Sequence, residues 1–170
     1  SPASWLDKFS VARFTLKSYA SAKRSTPNLP QMAALHVYEG TSMIVVYGIK
    51  ENLNPIKAKL SDVIHGCMQS VLGMPEDKRA HRFVPLDRED FYFPGGRTDA
   101  YTVIEINMMA GRKPETQKAL IKSLFQQLEN QLLLSPIDVE ITIKEQAPHQ
   151  WGFRGITGDE ANDLKYKVNV

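Results

Sequence analysis

Arg112 follows a glycine in "MMAGRKPETQK", where an apolar run gives way to a helical pattern. A guanidinium at such a turn can grip a carboxylate with two parallel hydrogen bonds. Arg112 therefore either lines a pocket for a small anion or stands solvated in a bend; the adjacent Lys113 reads as solvated. Further on, "HQWGFRG" places Trp151, Phe153 and Arg154 in a glycine-punctuated loop. Trp151 there packs on a neighbouring subunit or lines a pocket, and Arg154 offers a second cation. His81 and Tyr92 in "AHRFVPLDREDFYFPGG" are the acid/base candidates; otherwise His81 belongs to the polar face of a strand and Tyr92 packs in a loop. "PGGR" lacks the strand–loop–helix setting and the Lys-Ser/Thr pair of a phosphate loop and reads as a turn. His65 reads as a satisfied core or interface histidine. Among His36, His65, His81 and His149 no pair has metal-ligand spacing, so neither a metal nor another cofactor is expected. Cys67, on an apolar helical position, reads as a small buried hydrophobe.

These residues belong to a chain of 170, long enough for one ordinary domain. Hydrophobic residues make up 42% and charged residues 24%, the globular range. A net charge of +2 is too small to expect nucleic acid as the partner. No apolar run reaches the roughly 20 residues of a membrane span. Residues 1–42 differ from the rest: Lys8, Arg13, Lys17, Lys23 and Arg24 stand against only Asp7 and Glu39, with many serines and the breaker-rich "STPNLPQM".

From Met43 the chain reads as strand, helix, strand, twice over. "MIVVYGI" is a strand by its β-branched content. Ile56, Leu60, Val63, Ile64, Cys67, Met68, Val71 and Leu72 then recur at helical spacing, predicting a helix over 55–72 capped by Asn54 and closed by Gly73. A strand over 80–86 follows. The second unit has a strand in "AYTVIEINMM", a helix over 114–133 and the alternating strand "VEITIKE". The units register at about 60 residues, with Pro55 set against Pro114 and "MPED" against "SPID". The expected fold is α+β: duplicated βαβ units forming a four-stranded sheet with two helices on one face. The other face would be bare, and burying it calls for oligomerisation.

The order and spacing of "MIVVYGI", "YTVIEINMMAGRKPETQKALIKSLF" and "SPIDVEITIKEQAPHQWGFRG" resemble the tautomerase superfamily, in particular its long fused-repeat members of the malonate semialdehyde decarboxylase and cis-chloroacrylic acid dehalogenase type. The resemblance runs from Met43 to about Gly158. It implies a homotrimer, an isomerase or related lyase chemistry on a small oxo or enol acid, Arg112 as the carboxylate-binding arginine, and an amino-terminal proline as the catalytic group. An α-amino group titrates near neutral pH, which is what makes such a proline a general acid or base. Here Ile44 holds that position, and an internal residue has only an amide nitrogen. The proline chemistry is therefore expected to be absent or altered. The alternative is a non-catalytic trimeric ligand-binding or assembly protein.

The expected organisation is an extension over 1–42 (an accessory segment, or a processed or engineered leader) and a domain over 43–170, with repeats at about 43–90 and 100–146 and a tail. Residues 33–39 are a candidate edge strand, and the extension, through 37–42, is expected to lie over the Arg112 site. The location is expected to be cytoplasmic, or an organelle if the basic, Ser-rich extension derives from a transit segment.

Overall fold

The computed structural model describes residues 42–161, all within one compact unit. The expected edge strand at 33–39 and nearly all of the extension lie outside these residues. Strand β1 (Ser42–Ile49) runs into a one-turn helix α1 (Lys50–Leu53) and then α2 (Lys57–Leu72). Strand β2 (His81–Leu86), a connection, β3 (Thr102–Met109), α3 (Pro114–Leu132) and β4 (Val139–Gln146) follow, and a short hairpin pairs β5 (Gly152–Phe153) with β6 (Ile156–Thr157). The sheet order is β2-β1-β3-β4. Each βαβ unit is parallel, as a helical crossover requires, and β1 meets β3 antiparallel.

Two boundaries differ from expectation. β1 begins at Ser42, so Ile44 is its third residue. α2 begins at Lys57 because residues 50–53 have already formed a turn of their own: Asn54 N–H donates to Lys50 O, which makes Asn54 the end of α1 rather than the cap of α2.

The repeat is more regular than the sequence suggests. β1 and β3 share one burial pattern. A shift of 60 residues turns the pair Ser42–Met108 into the pair Thr102–Gly48. The same shift carries buried Leu60, Ile64 and Met68 onto buried Leu120, Leu124 and Leu128. It also carries the cap of α2, where Met74 N–H reaches Met68 O, onto the cap of α3, where Leu134 N–H reaches Leu128 O. Pro55 and Pro114 are thus not equivalent; the true partner of each residue lies 60 on, because packing and caps rather than prolines set the register. Ile44, Val46, Ile104 and Ile106 point to the helices and join one core with them.

The other face is only partly bare. The connection lays Phe91, Phe93 and Tyr101 against Ile49, with Tyr47, Leu86 and Val103 packed on them. Beyond this aromatic cover the face carries Glu105, which accepts from Lys144 Nζ at 2.8 Å and Tyr47 Oη at 3.3 Å. Among the described residues no helix is long and apolar enough to cross a membrane.

The matched helix ends give a stability prediction. Both α2 and α3 end in a left-handed residue, Gly73 at φ 66° and Leu133 at φ 57°. Leu133 carries a Cβ into a region that disfavours it, and it is 89% exposed. Leu133→Gly is expected to raise the unfolding free energy by about 0.5–1 kcal/mol, and Gly73→Leu to lower it by about 1 kcal/mol or more, measured by urea denaturation.

Candidate functional site at one end of the sheet

The antiparallel β1–β3 seam brings the start of β1 beside the end of β3. Ser42 faces Met108, and Asn107 Nδ2 donates to Met43 O at 3.4 Å. The β3–β4 ladder continues one step past the strand, with Ala110 N–H on Gln146 O. The chain then turns at Gly111 (φ 135°), a backbone setting that glycine tolerates without strain. Arg112 follows and is buried, 4% exposed. Its Nη1 donates to Met109 O at 3.1 Å, so the guanidinium folds back over the end of its own strand. Gln117, one turn into α3, donates through Nε2 to Arg112 O at 3.2 Å and to Glu145 Oε1 on β4 at 3.0 Å.

The segment after β4 closes the same end. Trp151 N–H donates to Pro148 O, and Gly158 N–H donates to Trp151 O. A methyl group at Gly158 would lie 2.5 Å from Pro148 O and 2.6 Å from Met109 Cε, so only glycine lets the hairpin lie this close to Met109. Met109 thus touches both the arginine turn, through its carbonyl, and the tryptophan segment, through its side chain. Trp151 Nε1 is buried and has no hydrogen-bond acceptor among the described residues. An indole N–H in that setting is a donor aimed at something that could accept from it. Arg154 stands exposed at the hairpin tip, at φ 55° in front of Gly155 at φ 77°, with its guanidinium 5.3 Å from the Phe153 ring centre. Two successive positive-φ residues suit a two-residue turn.

The structure therefore brings Arg112 and Trp151 to one end of the sheet and puts Arg154 at the tip of the adjoining hairpin. The other candidates take no part in these hydrogen bonds. Tyr92 is 90% exposed, and the ring that enters the aromatic cluster is its neighbour Phe91. His81 is not on the polar face. It lies on the helix side of β2, directly across from Ile44, with Nδ1 2.8 Å from Ser61 Oγ on α2 and its ring 6.1 Å from His65. His65 is buried and donates through Nε2 to Glu76 O. Ile44 points into the core at 1% exposure, and its N–H donates to Ala80 O. Cys67 is buried, with its thiol pushed up chiefly by burial. Sequence reasoning left both Gln117 and Glu145 out of the site. Among the described residues no three His, Cys, Asp or Glu side chains gather as a metal site would need.

Residues 78–154, running from before β2 to the hairpin, match the family described as Tautomerase enzyme. That stretch is a little under half of the chain, and it agrees with the likeness to the tautomerase superfamily. The fold is that of a malonate semialdehyde decarboxylase, with 22% identity, a TM-score of 0.61, and coverage of 67% of this chain and 92% of that one. A fused 4-OT solved as an asymmetric trimer matches with 24% identity and a TM-score of 0.62, over 69% and 97% of the two chains. A member of the cis-3-chloroacrylic acid dehalogenase family matches with 17% identity and a TM-score of 0.60, over 68% and 82%.

His81 supplies a pH prediction. Burial first, then the nearby His65 and Arg79, lower its pKa from 6.5 to about 4. The unfolded chain then binds the proton that the folded chain refuses, so this residue's contribution to stability is full above about pH 6.5 and is lost as pH falls toward 4. Urea midpoints of the wild-type chain should drop between pH 7 and pH 5 more steeply than those of His81→Gln, which can still hydrogen-bond Ser61.

Proposed function

We propose that this chain binds a small oxo or enol carboxylic acid at the Arg112 end of the sheet, with proline-based catalysis absent or altered. The observation that carries this reading is a buried guanidinium and a buried indole N–H held at one end of the sheet through Met109. Arg112 takes the carboxylate, Trp151 Nε1 donates to a second ligand oxygen, and Arg154 supplies a further cation from the hairpin tip. A guanidinium presents its donors in a planar fork that matches a carboxylate, which suits an acidic ligand. The similar solved structures, a malonate semialdehyde decarboxylase and a cis-3-chloroacrylic acid dehalogenase family member, agree with small acids as the ligand class.

A second reading, a binding or assembly protein without turnover, is favoured by one observation. The two acid/base candidates are engaged or misplaced: His81 bonds Ser61 across the core, and Tyr92 is in solvent. In either reading the chain works as a homotrimer. The part of the helix-free face left uncovered by the aromatic cluster supports this, and the fused 4-OT relative was solved as a trimer. No nucleic acid partner enters this reading.

Phenylpyruvate separates the readings. The wild-type chain is expected to bind it while tautomerising it slowly or not at all, and Arg112→Ala should weaken binding roughly 10–100-fold in a calorimetric or NMR titration. Rapid turnover that vanishes in Arg112→Ala would favour the enzyme over the binding protein. Unaltered binding in that variant would remove Arg112 from the site. Sedimentation should give a trimer at micromolar concentration; a stable monomer would refute the assembly.

A further inference from the structure

The internal repeat permits a comparison within one chain. Shifted back by 60 residues, Arg112, Gln117 and Glu145 fall on Asn52, Lys57 and Pro85. In that other half nothing equivalent forms: Asn52 is exposed, Lys57 Nζ turns to Asn54 Oδ1, and Pro85 is exposed on β2. The apolar positions keep the repeat, while these three depart from it together. In the half that has them, they are joined in one bonded chain.

We infer that Gln117 and Glu145 are positioning residues for Arg112, holding the guanidinium in the pose in which it meets the ligand; this rests on the anion-binding reading above. The chemistry fixes the roles. Both acceptors, a backbone carbonyl and a carboxylate, demand the NH2 end of the Gln117 amide, so its orientation is set and both of its protons are used. The Arg112 carbonyl is thereby tied to β4, while Met109 O holds the guanidinium. With backbone and head group both anchored, a long side chain loses the rotamer freedom it would otherwise surrender on binding. Glu145 serves as an acceptor, and its charge is not essential to that role.

The test compares Gln117→Leu, Gln117→Lys and Glu145→Gln in the full chain. Each is read by phenylpyruvate titration and by the Arg112 Nε–H signal in a nitrogen–proton NMR spectrum, with the urea midpoint as control for folding. Gln117→Leu removes both donors and should weaken binding about tenfold and shift or broaden the Arg112 signal. Gln117→Lys can still donate to both acceptors and should recover most of the affinity. Glu145→Gln keeps an acceptor oxygen and should stay within about twofold of wild type. If Gln117→Leu binds as wild type while Arg112→Ala does not, the positioning role is overturned and the anion reading stands. If the wild-type chain fails to bind phenylpyruvate, the anion reading falls. An Arg112 signal unchanged by Gln117→Leu would then overturn the positioning role as well.

Discussion

The antiparallel seam between β1 and β3 is the contact on which the rest is arranged. Each βαβ unit alone is a pair of parallel strands under one helix, too little core to stand by itself. Pairing β1 with β3 lets Ile44, Val46, Ile104 and Ile106 form a continuous floor beneath α2 and α3. The 60-residue relation between the halves follows from that seam, and so does the location of function. An antiparallel seam sets the start of one unit beside the end of the other, so a residue just past β3 is delivered to the first residue of β1.

The two ends of the sheet show how one frame can hold different contents. Each strand pair is followed by a short turn, with Asp90 N–H on Asp87 O in one half and Gln150 N–H on Ala147 O in the other. The residues that follow, Phe91 and Trp151, occupy matching places. Phe91 is joined by Phe93 and Tyr101 in a ring cluster over Ile49, and the Tyr101 hydroxyl bonds Glu140, with its pKa pushed up to about 12 by burial and that carboxylate. This end is sealed by apolar packing. At the opposite end the same frame carries a buried arginine and a tryptophan with a polar edge. Burying charge and donors costs stability unless a partner answers them, so the asymmetry has a direction: one end is built to stay shut and the other to be polar inside.

Likeness to the tautomerase superfamily and the site do not by themselves make the chain a tautomerase. Acid/base chemistry needs a titrating group within reach of the ligand. The histidine that titrates low in this structure spends its hydrogen bond on Ser61, on the helix side of the sheet, with β1 between it and the arginine turn. Its work is to join β2 to α2.

The architecture was legible in the sequence. Strand composition in "MIVVYGI", alternation in "VEITIKE", the apolar stripes of both helices and the glycine after α2 are local signals, and local propensity with burial decides elements of that length. The fused repeat and the turn holding Arg112 were legible for the same reason. Side-chain direction was not, because it depends on which face of a strand the helices cover. Ile44 went to the core rather than the site, since it shares with Ser42 and Val46 the face of β1 that is buried. His81 went to the helix side by the same rule, being paired with Ile44. Tyr92 was left in solvent because its neighbour Phe91 took the covered position. The link from Arg112 through Gln117 to Glu145 was decided only by tertiary structure. It spans a turn, a helix and a strand, and no local pattern carries information about which acceptors an amide will meet once all three have packed.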